Sequence, residues 1–465
     1  VDASPQYNDV FYGGQWHSVL VGSMGAGSTT VVGGATGTGG RSVFALDVSN
    51  PDTFGTNNVL WEFSNRQYPD LGYTLPAPVI ARMNNGKWAA IVANGYNSTS
   101  GKAALFIIDI ETGALMTGMS SNPIIVENLG SNGLSSPTVV DTSGDKIADY
   151  IYAGDLKGNL WKFDVSATSS ASWNVAYSTG NPCSPCAPIF TAFDNATPTP
   201  ERQPITSKPV VTRATATDQN SGVMVYFGTG KYFEDGDHQI PTTPQVQSFY
   251  GVWDKCDTSS ALSCSGVVSG RSQLQQQSIV AEFAYGATVP TTTSAPCTNA
   301  INRLGWYLDL VKPDGTKQAE RVVGSPVLRN GAVIFVTLIP TNATCQPSGT
   351  GWIMELDVTG ARFTGSAIDI NNDGRIDDHD LVRLSDGTIA AASGIGSTVG
   401  IIKTPAIVQT EEERDTKYLS GSSGAMMTLG ERVSGGGSTT TPPACPAGDA
   451  RCEAFSTGSR IRGSW

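Results

Sequence analysis

The sequence has few charged residues. Asp, Glu, Lys and Arg together make up 15% of its 465 residues, whereas about 25% is usual for a soluble protein. Acidic residues outnumber basic ones by 41 to 29, so the formal net charge is −12, and no basic stripe interrupts the chain. Nucleic acids and anionic lipids are therefore poor candidate partners, and cations are better ones.

Long apolar segments are also missing. The longest candidate, 332–339, is far shorter than the roughly 18 residues that a membrane-spanning helix requires, so we expect no membrane span. The chain begins at Val1 with neither an initiator Met nor a basic-then-apolar leader. We therefore expect it to be part of a longer protein from which any targeting signal has been removed.

Catalytic motifs are absent too. The sequence contains three histidines, His17, His238 and His379, and lacks a GxSxG elbow, an HExxH motif and a glycine-rich phosphate loop. Quinone-cofactor dehydrogenases deserve comparison because they are calcium-containing propellers whose strand ends are similar to 108–113. Those enzymes stack the cofactor on a disulfide between adjacent cysteines, and this sequence has no Cys-Cys dipeptide. We predict that the protein is not an enzyme.

The eight cysteines favour disulfide bonds. A four-cysteine zinc site would need two close CxxC pairs, and only Cys183 and Cys186 have that spacing. Disulfides indicate an oxidising compartment such as a periplasm or the cell exterior. Pairing of neighbours in the sequence is one of 105 possible connectivities and would join Cys183 to Cys186, Cys256 to Cys264, Cys297 to Cys345 and Cys445 to Cys452.

A repeated unit dominates the rest of the chain. Each copy starts with a Pro and a short apolar run, continues with a second β-rich run, and closes with a third run that often ends in Asp, as in an Asx-type turn. The runs are short, rich in Val, Ile, Phe and Tyr, and bounded by turn-forming residues, which indicates strands. The Pro markers are Pro78, Pro137, Pro209, Pro326 and Pro405.

Three or four strands in each repeat are typical of β-propeller blades. We predict an all-β propeller of six to seven blades, with seven favoured over six. Some of the blades are expected to be irregular. The markers are 59, 72, 117 and 79 residues apart, so the 209–326 interval could hold a degenerate blade or a long insertion. The blades would occupy 1–433, and 434–465 would be a Gly/Thr/Pro linker and a Cys-containing segment that closes the propeller through a shared blade.

The strongest chemical signal is an EF-hand-like loop at 369–380. Calcium loops place oxygen ligands at positions 1, 3, 5, 7, 9 and 12, with position 7 contributing its carbonyl, and Gly at position 6 permits a sharp turn. The sequence has Gly374 at position 6 and Asp in place of the usual Glu at position 12. The six ligand positions are filled by Asp369, Asn371, Asp373, Arg375, Asp377 and Asp380.

A second acidic loop occupies 141–149. Its positions 1, 5 and 9 are Asp141, Asp145 and Asp149, and position 3 is Ser143, a weaker ligand. Position 6 is Lys146, which lacks the freedom of Gly at positive φ and adds a cation. Calcium is expected here, although a tight turn that uses its Asp residues only for hydrogen bonds to the backbone remains an alternative. Calcium is favoured over magnesium at both loops, because magnesium demands a stricter octahedron.

The second loop lies within a segment, 136–164, that resembles the C-terminal propeller of the PilC-type type IV pilus biogenesis factors and pilus-tip adhesins. The resemblance extends over nearly the whole chain and adds the carbonyl of Ile147 to the ligands of this loop. The family usually has Asp or Asn where this chain has Ser143, which puts the calcium affinity in question. Supporting segments are 16–22, 43–48, 227–233 and 462–465.

This resemblance implies a function. It implies a calcium-dependent propeller at the tip of a type IV pilus, reached through the periplasm or outer membrane and seated on minor pilins. A separate N-terminal region, absent here, would contact host or abiotic surfaces. Calcium would govern pilus assembly against retraction, and hence twitching motility and attachment. The alternative is a carbohydrate-binding or surface-adhesion propeller in which calcium is purely structural.

Overall fold

The structure is a computed structural model. All eight cysteines fall outside the part of the chain that the structure describes, so the disulfide bonds stay a prediction. Residues 433–460 also fall outside it, so the proposed domain boundary at residue 434 stays a prediction too. The described residues are 3–26, 41–116, 123–127, 130–178, 184, 187–196, 198–214, 222–255, 267–283, 303–342, 349–384, 387–411, 414–432 and 461–462.

The predicted all-β class is confirmed. Helical structure in the described residues is confined to short 3-10 turns at Pro51–Thr53, Thr56–Asn58, Ser170–Ser172, Arg271–Gln273 and Asp378–Asp380. The described ranges contain no helix with the length and apolar character needed to cross a membrane.

The strands of the first half of the chain are β1 (Gln6–Tyr12), β2 (Gln15–Ser23), β3 (Ser42–Asp47), β4 (Val59–Ser64), β5 (Val79–Arg82), β6 (Trp88–Ala93), β7 (Ala103–Asp109), β8 (Ile124–Glu127), β9 (Thr138–Val140), β10 (Tyr150–Gly154), β11 (Asn159–Asp164), β12 (Asn174–Val175) and β13 (Phe190–Thr191). Those of the second half are β14 (Val210–Arg213), β15 (Val223–Gly228), β16 (Ser248–Asp254), β17 (Gln275–Gln277), β18 (Glu282–Phe283), β19 (Gly305–Asp309), β20 (Val327–Arg329), β21 (Ala332–Val336), β22 (Trp352–Asp357), β23 (Leu381–Arg383), β24 (Ile389–Ala391), β25 (Gly394–Gly396), β26 (Ala406–Glu411), β27 (Arg414–Ser420), β28 (Met426–Arg432) and β29 (Ile461–Arg462).

The chain divides into two compact units. The first comprises residues 1–192, 204–209 and 259–267, and its described strands form sheets in the orders β1-β2-β3-β4, β5-β6-β7-β8 and β12-β11-β10-β9, with β13 also paired to β11. Neighbouring strands in these sheets are antiparallel and, apart from the β13–β11 pair, adjacent in sequence. This is the meander that the repeated unit predicts.

The second unit comprises residues 193–203, 210–258 and 268–465. Its described strands form sheets in the orders β14-β15-β16-β19-β17, β18-β29-β25-β22-β21-β20, β26-β27-β28 and β23-β24. In the wide 209–326 interval, β17 adds a strand to the end of one sheet as the parallel partner of β19, and β18 joins a different sheet. Near the end of the chain, β29 lies between β25 and β18.

The Pro markers and the apolar runs have physical explanations. Each marker directly precedes the strand at one end of its sheet, namely β5, β9, β14, β20 or β26, where Pro does not remove a ladder hydrogen bond. Interior strands are apolar at consecutive positions because both faces are covered. In β6, Ala89 and Ile91 pack into one core cluster, whereas Ala90 and Val92 pack into another.

Candidate calcium-binding loops

The 369–380 loop starts at the edge of the three-stranded sheet. Ile368 forms a β-bridge with Glu431 of β28, and the Asp369 amide donates to the Gly430 carbonyl at 3.1 Å. The loop ends in the 3-10 turn Asp378–Asp380, which the Asp377 side chain caps by accepting from the His379 amide. Its first ligand position is therefore fixed to a regular strand.

The backbone of this loop has the expected sharp turn. Gly374, at position 6, has φ 85°, and Asn372, at position 4, has φ 56°. Both values lie in the left-handed region, which Gly adopts at no steric cost and Asn tolerates better than most residues. The spacing of the sequence motif thus corresponds to a turn of the kind that calcium loops use.

Asp369 carries the most informative side chain of the loop. Its carboxylate is fully buried, and Oδ2 accepts from the Gly374 amide at 3.1 Å and from Arg414 Nη2 at 3.0 Å. Oδ1 is buried and has no hydrogen-bond partner. Burial raises the pKa of Asp369, and the nearby Asp373 carboxylate adds to this. A buried carboxylate oxygen without a partner is unfavourable unless a cation satisfies it.

Asp380 is the second buried carboxylate. Its Oδ1 accepts from the Ile370 amide at 2.9 Å, and Oδ2 accepts from the Asp377 amide at 3.0 Å. Burial raises its pKa to about 7 despite these hydrogen bonds, and Asp369 contributes in the same direction. The first and last positions of the loop, Asp369 and Asp380, are therefore two desolvated carboxylates. The negative charge of each destabilises the ionised form of the other.

The remaining ligand positions are more exposed and are held by local hydrogen bonds. Asn371 Oδ1 accepts from the Asp373 amide at 2.9 Å, and Asp373 Oδ1 accepts from the Arg375 amide at 2.8 Å. The Asp377 carboxylate accepts from the amide and ring of His379, which lowers its pKa. Among the described residues, no three His, Cys, Asp or Glu side chains are grouped closely enough to hold a metal ion. Asp369 Oδ1 is a buried oxygen without a hydrogen-bond partner, and the calcium site with its full ligand set stays a prediction.

The 141–149 loop connects β9 to β10. Asp141 Oδ1 accepts from the Gly144 amide at 2.6 Å, and its Oδ2 accepts from the Lys146 amide at 2.6 Å, so the pKa of Asp141 is lowered. Asp149 Oδ2 accepts from the Thr142 and Ser143 amides at 2.8 and 3.1 Å. Both end carboxylates face into the loop's own backbone, the arrangement of an Asp-rich turn.

The other ligand positions of this loop are at its rim. Asp145 is exposed and accepts from the Ile147 amide at 2.9 Å, and the Ser143 hydroxyl donates to Asp141 at 3.1 Å. Lys146 adopts φ 66°, so the loop takes the turn at position 6 without glycine, at a cost of about 1–2 kcal/mol. The calcium and tight-turn interpretations both remain open for this loop.

Two features near the first loop were not predicted from the sequence. Arg414 reaches Asp369 and the Gly374 carbonyl, and Arg432 Nη2 donates to the Ile376 carbonyl at 2.6 Å. These arginines lie far along the chain from the loop, and no local motif connects them to it. They reach the loop because Ile368 pairs with Glu431 of β28, and β28 pairs with β27.

A buried charge cluster joins the three-stranded sheet to the six-stranded sheet. Lys417 is fully buried between two carboxylates, Glu355 of β22 and Glu431 of β28, with 2.5 Å from its Nζ to Glu431 Oε2. Burial raises the pKa of Glu355 to about 8. The sequence indicates this cluster only through the alternation in β27, where the charged residues Asp415 and Lys417 stand two positions apart. Both are buried.

Comparison with known proteins identifies the family. The model of the PilY1 β-propeller domain matches residues 1–285. A type IV pilus biogenesis factor PilY1 homolog of Xylella fastidiosa is 35% identical over 428 residues, which cover 89% of this chain and 27% of that protein. The type IV pilus biogenesis factor PilY1 of Pseudomonas aeruginosa is 36% identical over 404 residues, covering 81% of this chain and 32% of that protein.

A solved structure gives the same result. The crystal structure of the Pseudomonas aeruginosa PilY1 C-terminal domain superposes with a TM-score of 0.72 at 31% identity, and the match covers 92% of this chain and 84% of that one. The chain spans about a third or less of the length of its curated relatives. The β-propeller class predicted from the repeats is thereby confirmed, while the number of blades stays a prediction. The chain belongs to the PilY1 β-propeller family.

Proposed function

We propose that this chain is the calcium-binding propeller of a type IV pilus biogenesis factor. Its role is to promote pilus assembly against retraction while docked on minor pilins at the pilus tip on the cell surface, and thereby to support adhesion and twitching motility. Family membership over most of the chain carries the proposal. The propeller itself supplies binding surfaces and no catalytic step.

Calcium would act through the two acidic loops. At 369–380 the support is the buried, unpartnered Oδ1 of Asp369, and the residues that would hold the ion are the six motif positions described above. At 141–149 the support is the resemblance of the surrounding segment to the family, with Asp141, Ser143, Asp145, Ile147 and Asp149 as ligands. A bound cation offsets the repulsion between clustered carboxylates and so orders the loop.

Pilus assembly tests this function in the organism. Asp145→Ala and Asp373→Ala, each introduced into the full-length protein, are expected to reduce the number of surface pili severalfold and to shrink the twitching zone. Both substitutions remove exposed side chains, so the fold should survive. The measurement is a count of pili by electron microscopy, together with the amount of variant protein by immunoblot.

Asp235→Ala is the matched control, because Asp235 is an exposed Asp in a turn outside both loops. It should leave pilus number unchanged. Wild-type pilus numbers in both loop variants, at equal protein levels, would contradict a role for calcium in assembly.

One observation favours the alternative of carbohydrate binding. On the β1–β2 hairpin, Tyr7, Phe11 and Trp16 are 80%, 47% and 64% exposed. The ring centroids of Phe11 and Trp16 are 5.5 Å apart, and Trp16 lies 6.3 Å from Trp88. Phe11 and Trp16 thus form an exposed aromatic pair. Exposed apolar patches can mark interaction sites, and flat rings can stack on sugar faces.

A glycan array tests this alternative. If the aromatic rings hold a sugar, the wild-type protein binds a defined set of glycans and Trp16→Ala loses that binding while keeping its melting temperature. Phe54→Ala removes an isolated, 50% exposed ring and should retain binding. A wild-type protein that binds no glycan would eliminate the alternative.

A further inference from the structure

We propose that Arg414 is a positioning residue for calcium in the 369–380 loop. In this assignment its guanidinium fixes the Asp369 carboxylate so that Oδ1 stays available to the ion, and it thereby raises the calcium affinity of the loop. The inference rests on the proposed calcium site and adds a residue that lies outside the loop motif.

The two oxygens of Asp369 have different surroundings. Oδ2 receives both Arg414 Nη2, at 3.0 Å, and the Gly374 amide, at 3.1 Å. Oδ1 receives no hydrogen bond, and the side chain is fully buried. Arg414 therefore donates to Oδ2, the oxygen that already accepts from the loop backbone. Oδ1 is left free to bind a cation.

The second arm of the guanidinium holds the turn of the loop. Arg414 Nη1 donates to the carbonyl of Gly374, the glycine whose amide donates to Asp369. One planar group thus ties position 1 of the loop to position 6. Lys presents a single ammonium on a flexible stem and cannot make this paired contact with the same geometry.

The path of Arg414 to the loop depends on a glycine. Arg414 begins β27 and lies opposite Arg432 of β28, and its side chain crosses β28 at Gly430. A Cβ on Gly430 would lie 2.5 Å from Arg414 Nη2 and 2.9 Å from Nε. Gly430 does not have positive φ, so its role here is to leave space for the guanidinium.

Two physical effects of Arg414 on calcium oppose each other. Its positive charge repels the ion, an effect that solvent and the loop carboxylates screen. Its hydrogen bonds hold a first ligand in place, and the loss of such outer contacts typically weakens metal binding about 10–100-fold. Because Arg414 contacts the oxygen that is already occupied, we assign the larger effect to positioning.

Calcium titration by calorimetry tests this assignment. All variants are made in an Asp145→Ala background, which isolates the 369–380 loop, and CaCl₂ is the ligand. Arg414→Gln, Arg414→Lys and Gly430→Ala are each expected to raise Kd about tenfold. Gly430→Ala keeps the positive charge and displaces it, so it separates position from charge. Arg383→Gln removes an exposed arginine three residues beyond the loop and should leave Kd unchanged.

Melting curves in chelator accompany each titration. A residue that only stabilises the sheet would lower the melting temperature in chelator without changing Kd, and that result would overturn the inference. So would a wild-type Kd in Arg414→Lys, because it would show that charge alone suffices. If one variant fails to fold, the other two still decide the question.

The proposed calcium site can fail separately. If Asp373→Ala abolishes binding but the Arg414 and Gly430 variants bind like the parent, only the role of Arg414 is wrong. If the parent itself shows no binding that Asp373→Ala removes, the calcium site and the inference both fail.

Discussion

Replacing Lys417 by Met is expected to destabilise the folded protein by about 3–5 kcal/mol, the usual cost of removing one partner from a buried ion pair. Lys417 is fully buried, and its Nζ contacts Glu355 Oε2 and Glu431 Oε2. Without it, two buried carboxyl groups would face each other with no cation between them. Urea denaturation followed by tryptophan fluorescence measures the change.

Lys403→Met is the matched control, because Lys403 is exposed and outside the cluster. It should change the free energy of unfolding by less than about 0.5 kcal/mol. A loss of less than about 1 kcal/mol in Lys417→Met would mean that one or both glutamates can reach water or become neutral without cost.

The same cluster predicts a pH dependence. Burial raises the pKa of Glu355 from 4.5 to about 8, with Glu431 acting in the same direction and Lys417 in the opposite one. A carboxyl group whose pKa is higher in the folded state stabilises it fully below the unfolded pKa. That stabilisation is lost as pH rises through about 8. Glu355→Gln is always neutral, so its stability should fall less than that of wild type between pH 4.5 and 8.5.

Wild type and Glu355→Gln have the same acidic loops, so the contribution of those loops cancels in this comparison. The other charged groups beside the cluster are Arg329 and Asp415, which form an ion pair with each other, and the pKa of Asp415 is lowered. Asp415 therefore does not titrate in this window. Equal slopes of stability against pH in wild type and Glu355→Gln would contradict the assignment to Glu355.

Removal of calcium is expected to lower the stability of the folded protein, and this is the second large effect. A ligand that binds only the folded state stabilises it by about 2.7 kcal/mol at 100 times its Kd. A chelator should therefore lower the melting temperature of wild type, and Asp373→Ala should abolish most of that difference. Asp373 is exposed, and its hydrogen bonds are to Asn371 and Arg375 of its own loop, so its loss should leave the buried carboxylates in place.

The physical reason lies in the buried end positions of the loop. Asp369 Oδ1 has no partner, and burial raises the pKa of both Asp369 and Asp380. A divalent cation would give Asp369 Oδ1 a partner. It would also stabilise the ionised form of both carboxylates and so lower their pKa. Asp235→Ala should keep the wild-type response to the chelator. An equal response in Asp373→Ala would move the calcium effect away from the 369–380 loop.

The strands and the loops were predictable because their signals are local. The prolines before β5, β9, β14, β20 and β26 mark strands at sheet ends, and most of the third runs end in Asp as predicted, whereas β28 ends in Arg432. At Asp164 and Asp357, Oδ1 accepts from the amide two residues on, at 3.0 and 2.8 Å. Each signal depends on residues within a few positions, so it can be interpreted without knowing what packs against them.

The sequence by itself determined an all-β chain of repeated strands and the spacing of two acidic loops. Only the tertiary structure decided which oxygen of Asp369 is left without a partner, since its other oxygen meets Arg414 from 45 positions away. It also decided that Lys417 lies between Glu355, 62 positions away, and Glu431. Charges on distant strands meet only once the sheets have paired and packed, and a linear pattern carries no record of that pairing.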